Sequence, residues 1–99
     1  MIRHIVMFTL AATDRQQRQA DVAQMQERLA ALVGVVPGLH SISLQPDLGL
    51  IDGHWDVVLV SEHDDNAALE AYQAHPAHIE AGAFIRSVTG DRATVDYVL

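Results

Sequence analysis

Ile2-Arg3-His4-Ile5-Val6-Met7-Phe8-Thr9-Leu10 opens the chain with apolar side chains in both registers of a strand. Successive strand side chains point to opposite faces, so Ile2, His4, Val6, Phe8 and Leu10 share one face while Ile5 and Met7 lie on the other. A strand that is apolar on both sides is one that is covered on both sides. The stretch from Trp55 to Ser61, with Val57-Val58-Leu59-Val60 at its heart, reads the same way. Two such strands require a sheet with a cover on each face.

The segments between them supply one of those covers. Thr13-Asp14-Arg15-Gln16 has capping-box form, with Thr13 as N-cap and Gln16 three residues on. The spacing of Val22, Met25, Leu29, Leu32 and Val33 predicts a helix to about Val33, closed by Gly34 and by a turn at Pro37-Gly38. Leu39 to Gln45 alternates Ser41 and Ser43 against Ile42 and Leu44, a half-buried strand. Pro46 to Gly53 reads as a turn region. Asp64-Asp65-Asn66 offers N-cap chemistry for a short helix from Ala67 to about Ala74, which Pro76 ends by disfavouring helical backbone at His75. Ala81 to Val88 reads as a short helical turn, Gly90-Asp91 as a turn, and Thr94 to Val98 as the last strand.

The order β-α-β-β-α-β is the split β-α-β arrangement. The expected fold is α+β and ferredoxin-like: one domain over residues 1–99, a four-stranded antiparallel sheet, both helices on one face. Nothing in the chain is left to cover the other face, so a second copy is expected to do so, giving a homodimer. Size points the same way. A chain of 99 residues with 49% hydrophobic and 5% aromatic content builds a small aliphatic core, marginal on its own.

Charge excludes several partners. Thirteen acidic residues against six arginines, with no lysine, give a formal charge of −7. Arg3, Arg15, Arg18, Arg28, Arg86 and Arg92 are scattered, so no basic stripe offsets the repulsion a phosphate backbone or anionic membrane would meet. There is no cysteine, hence no disulfide, thiolate metal site or Cys nucleophile. The N-terminus lacks a signal-peptide pattern, and no stretch approaches the ~18 apolar residues of a membrane span. A soluble, cytoplasmic protein is expected. Phosphate loops and the Gly-x-Ser-x-Gly motif are absent, and no cofactor is implied.

The most specific run is Tyr72-Gln73-Ala74-His75-Pro76-Ala77-His78. Together with Arg3 to Phe8, Val36-Pro37-Gly38-Leu39, Trp55 to Leu59 and Val95-Asp96-Tyr97, it resembles the stress-responsive A/B barrel domain family over nearly the whole chain. The resemblance implies a dimeric α/β barrel whose two sheets face each other. It also brings in the plant polyketide cyclases of the olivetolic acid type, which close a linear chain by aldol chemistry. Their catalytic tyrosine and histidine match Tyr72 and His78. Their pocket matches His4, Val6, Phe8, Met25, Leu29, Val58 and Gly82, and His75 of the same block joins the residues expected to touch a ligand. The chain departs from that pattern at His63, where the family commonly has Phe. Met25, Leu29, Ala81 and Thr89 replace enclosing aromatics, and Arg92 replaces an apolar lining residue.

Each polar candidate also has a plain structural reading. His78 at neutral pH can take a proton from carbon flanked by carbonyls, and the Tyr72 hydroxyl can donate to a developing enolate. Equally, Tyr72, His75 and His78 can tie a helix end to the sheet. His4 lines a pocket or is a buried histidine with a partner. His75 and His78, at i and i+3, are half a metal site without a third ligand, so no metal is expected. Arg92 either holds a carboxylate or pairs with Asp91 or Asp96, the latter being the stronger expectation. His40, His54 and His63 are expected at the surface or at strand ends. Two functions are consistent with these residues. One is a stress-associated or small-ligand-binding homodimer in which the block is architecture. The other is a cyclase-like enzyme acting on a small apolar or polyketide-like molecule, with His78 as base and Tyr72 as partner.

Overall fold

The computed structural model describes residues 1–99. The elements run β1 (Ile2–Leu10), α1 (Arg15–Ala30), β2 (Leu39–Pro46), β3 (Val57–His63), α2 (Asn66–Ala74), α3 (Pro76–Val88) and β4 (Thr89–Val98). The four strands form one antiparallel sheet in the order β2-β3-β1-β4, so the two-faced strands β1 and β3 take its centre. This is the ferredoxin-like α+β fold, with one helix more than the sequence pattern predicts.

The register defines the two faces. Val6 pairs with Leu59 and Thr94, and Phe8 with Val57 and Arg92, so these side chains share the helical side. Met7 pairs with Val58 and Ala93, and Ile5 with Val60 and Val95, on the opposite side. On the helical side, Val6, Phe8, Leu44, Val57 and Leu59 meet Val22, Met25 and Leu29 of α1, Leu69 and Tyr72 of α2, and Ala81 and Ile85 of α3 in one buried cluster. The opposite side has no cover within the chain. Ile5, Met7, Val58 and Val60 are part-exposed there, and Val95 is 61% exposed.

Several boundaries differ from the pattern. Asp14, not Thr13, caps α1 by accepting from the Gln17 amide. The helix ends at Ala30, and Leu32 and Val36 reach the core from a turn while Val33 stays outside. Asp65 caps α2. His75 ends that helix, as Pro76 requires, but its own side chain then caps a new one, with Pro76 at the first turn, where its missing N–H costs nothing. The segment after Pro76 is therefore a 13-residue helix rather than a short turn. β4 begins at Thr89 and takes in Gly90-Asp91, which form no turn. Gly90 approaches β1 so closely that a Cβ would lie 2.8 Å from Thr9 Oγ1, which accepts from the Asp91 amide.

Gly38 fixes the junction before β2. Its φ is +80°, and a Cβ there would lie 2.7 Å from Ala68 Cβ on α2. Its carbonyl accepts from the Asp64 amide. Gly38→Ala is expected to destabilise the fold by about 1–3 kcal/mol, through left-handed strain and a clash with α2. Chemical denaturation checks this; a change below about 0.5 kcal/mol would mean that α2 gives way freely.

Candidate functional site

Four elements bring polar side chains to one end of the sheet. β1 carries His4 on the helical side, β3 ends in Ser61 and His63 on the same side, and α2 and α3 meet at the Tyr72–His78 block. Tyr72 is the hub. Its ring centroid lies 4.2 Å from that of His78, 4.7 Å from His63 and 6.3 Å from His4. The four rings form one aromatic cluster, and the tight turn at His75-Pro76 is what returns His78 over Tyr72.

Each ring has a different set of partners. His4 Nδ1 donates to Asp96 Oδ1 on β4 at 2.5 Å, a cross-strand pair set by the β1–β4 register. His63 is wholly buried, its Nε2 2.8 Å from Ser61 Oγ, and its Nδ1 has no partner. Burial, with the nearby His4, pushes its pKa below the usual histidine range. His78 Nδ1–H donates to the Gln73 carbonyl at 3.3 Å. Burial again lowers its pKa, only partly offset by that hydrogen bond, so the ring is neutral near pH 7 with its lone pair on Nε2. Tyr72 is almost wholly buried and its phenol pKa is pushed well up by desolvation, so the group is a protonated donor. Its hydroxyl has no hydrogen-bond partner in the chain.

A cavity of about 780 Å³ opens beside this cluster, between α3 and the β1–β4 part of the sheet. His4, Val6, Phe8, Leu29, Tyr72, His78 and Gly82 line it together. Three other sequence candidates do not. Val58 points to the opposite side, because Val6 pairs with Leu59 and Val58 with Met7; Leu59 takes the expected place. Met25 is sealed in the core beneath, at 0% exposure. His75 is spent on capping, its Nδ1 accepting from the Ala77 amide. No group of three or more His, Cys, Asp or Glu is placed so that it could hold a metal ion.

Sequence reasoning missed two features. His63 belongs to the buried face of β3, as the period-two run Val57, Leu59, Ser61, His63 shows once the strand is carried two residues further. The lining is also more polar than expected. Six of its fifteen residues are hydrophobic, and Gln73, Arg86, Thr89, Arg92 and Thr94 add polar groups to it. Arg92 makes no ion pair, against the expected pairing with Asp91 or Asp96; Asp96 is taken by His4.

A ferredoxin-like sheet with one face covered by helices, and a cavity between the two layers, defines a class of small α+β domain. The chain belongs to the stress responsive A/B barrel domain family, whose model matches residues 2–99. A dimeric ferredoxin-like protein of unknown function from Thermobifida fusca is 34% identical, with a TM-score of 0.83 over 99% of this chain and 90% of that one. A similar dimeric protein from Bacteroides fragilis is 26% identical, with a TM-score of 0.85 over 99% and 95%. The hydroxynitrile lyase of Passiflora edulis shares the fold at 16% identity, with a TM-score of 0.81 over 99% and 92%. A search of curated protein sequences finds no match. No helix is long and apolar enough to cross a membrane.

His63 and His78 both hold depressed pKa values, so below about pH 6.5 the unfolded chain binds protons that the folded chain refuses. Stability is expected to fall as pH drops from 7 towards 5, by at most about 1.4 kcal/mol per pH unit for each ring. His63→Gln should flatten that slope. Melting curves across this range check it, and an unchanged slope in the variant would show that His63 does not titrate with unfolding.

Proposed function

We propose that the protein is a homodimer that binds a small organic molecule in the cavity between α3 and the β1–β4 sheet. One observation carries the binding reading. A buried phenol with no partner in the chain stands beside a neutral imidazole, at the edge of a cavity of about 780 Å³. The hydroxyl faces the cavity rather than being sealed off, so a ligand acceptor can take its hydrogen bond in place of water. The volume suits a small molecule, as such sites usually span about 300–1,000 Å³. A cysteine-free chain is compatible with a cytoplasmic setting.

The dimer is supported by the uncovered side of the sheet. Ile5, Met7, Val58, Val60 and Val95 form its apolar centre, and the Arg3–Glu62 ion pair, with Tyr97, borders it. Apolar centres with polar margins are the usual build of stable interfaces. The relatives from Thermobifida fusca and Bacteroides fragilis are described as dimeric. The cavity lies on the other side of the sheet, so association through this face leaves it open.

The hydrogen bond from His78 Nδ1 to the Gln73 carbonyl favours a second reading of the same site. It turns the basic Nε2 into the free nitrogen. With Tyr72 as donor to a developing oxyanion, His78 then acts as general base in a cyclase-like step on a polyketide-type substrate, a role worth about 10²–10⁴-fold when well positioned.

Sedimentation at micromolar concentration is expected to show a dimer. Val60→Asp, which sets a carboxylate at the centre of the uncovered face, should unfold the chain rather than release a stable monomer. A folded monomeric variant would sink that interdependence.

Native mass spectrometry against an unfractionated metabolite extract should find a small molecule on the wild-type protein. Tyr72→Phe should lose it with little change in stability, since the hydroxyl has no partner to abandon. His78→Ala should also lose it. If instead His78→Ala costs about 1–3 kcal/mol and no ligand is found on any variant, the block is architectural.

A further inference from the structure

The cavity carries positive charge with nothing in the chain to balance it. Its lining includes Arg86 and Arg92 and no Asp or Glu, in a chain where acidic residues outnumber arginines thirteen to six. The other arginines are otherwise placed. Arg3 pairs with Glu62 and Arg18 with Asp56, Arg28 lies over the Phe84 ring, and Arg15 stands at the start of α1. Neither Arg86 nor Arg92 makes an ion pair.

Topology explains why these two meet. α3 ends at Val88 and β4 begins at Thr89 with no residue between them. The chain reverses there, so residues three before and three after Thr89 return to the same end of the cavity. The Arg86 guanidinium lies back along α3, with Nη1 3.5 Å from where a Cβ on Gly82 would sit. That places it about one helical turn, roughly 6 Å, from His78 along the axis. Arg92 faces the same space from β4, opposite Phe8. His78, Gly82 and Arg86 thus form one stripe of α3 above the apolar Val6 and Phe8.

We infer that the ligand is a small organic carboxylate. Its carboxylate lies between Arg86 and Arg92, and its carbon body lies on Val6, Phe8 and Ile85, reaching Tyr72 and His78 at the far end. The guanidinium fork matches the planar carboxylate, and the apolar floor requires a carbon body, which inorganic anions lack. Asp96 does not oppose the anion, because it faces His4 and lies outside the lining. This inference rests on the small-molecule reading above and names the chemical class that the cavity takes.

Isothermal titration with paired probes tests it: benzoate against benzamide, octanoate against 1-octanol, and inorganic phosphate alone. The wild-type dimer is expected to bind the carboxylates at least about tenfold more tightly than their neutral partners, the weight of one charge-assisted contact. Arg86→Gln and Arg92→Gln should each weaken carboxylate binding several-fold. The double variant should lose the preference, while Arg15→Gln, with the same change in net charge, keeps it. Both arginines are exposed, so the variants are expected to melt as the wild type does. Equal binding of acid and neutral probes, a preference that survives the double variant, or phosphate binding as tightly as benzoate overturns the carboxylate assignment and leaves the small-molecule reading standing. If none of the probes binds the wild-type protein, the assignment fails; the metabolite screen then decides separately whether the cavity binds any small molecule.

Discussion

The antiparallel pairing of β1 with both β3 and β4 is the constraint on which the rest of the structure depends. Seven residues of β1 pair on one side with β3, and the strand pairs along nearly its whole length with β4 on the other. Because side chains alternate, this ladder decides at once which residues build the core and which are left without a cover. His4, Val6 and Phe8 go inward with their cross-strand partners; Ile5 and Met7 go outward with theirs. A slip of β1 by one residue would exchange its two sets, turn Arg3 into the core and part it from Glu62, so burial holds the register firmly.

The cavity is a by-product of how the helical layer fits this ladder. α1 covers the β2–β3 side closely through Met25 and Leu29, while α3 stands over β1 and β4 on a stripe that carries Gly82 in its middle. The core closes on Tyr72, whose ring packs against three histidines and whose hydroxyl stays free. A charged group in that cluster would be costly. Desolvation therefore holds His63 and His78 neutral, and His4 is matched by a carboxylate from the neighbouring strand.

Much of this is legible in the sequence, and the failures have definite causes. The two-faced strands at Ile2–Leu10 and around Val57–Val60 carry the sheet and its uncovered side, because period-two patterns survive without knowledge of neighbours. Register does not survive in the same way. Val58 and Leu59 are both apolar, so only the pairing with β1 says which one joins Val6. Pro76 stops one helix but starts another, and the poor helix former Gly82 hides the length of that second helix. His63 reads as a surface residue only while the strand is closed at Ser61. The free state of Arg92 is hidden by nearby Asp96, whose true partner is 92 residues away in sequence.

The junction between α3 and β4 has one more consequence. Ala11 N–H donates to the Val88 carbonyl at 3.0 Å and Thr89 Oγ1 to the Ile85 carbonyl at 2.8 Å, so the corner is pinned on both sides. With no connecting loop, α3 has no hinge at that end and cannot swing off the sheet as a lid. The entropy of fixing this corner is lost during folding rather than on encounter with a ligand. For the ligand proposed above, selection would then be a matter of fit to a rigid shape, and changes to the lining would alter the shape of the cavity rather than how the protein moves.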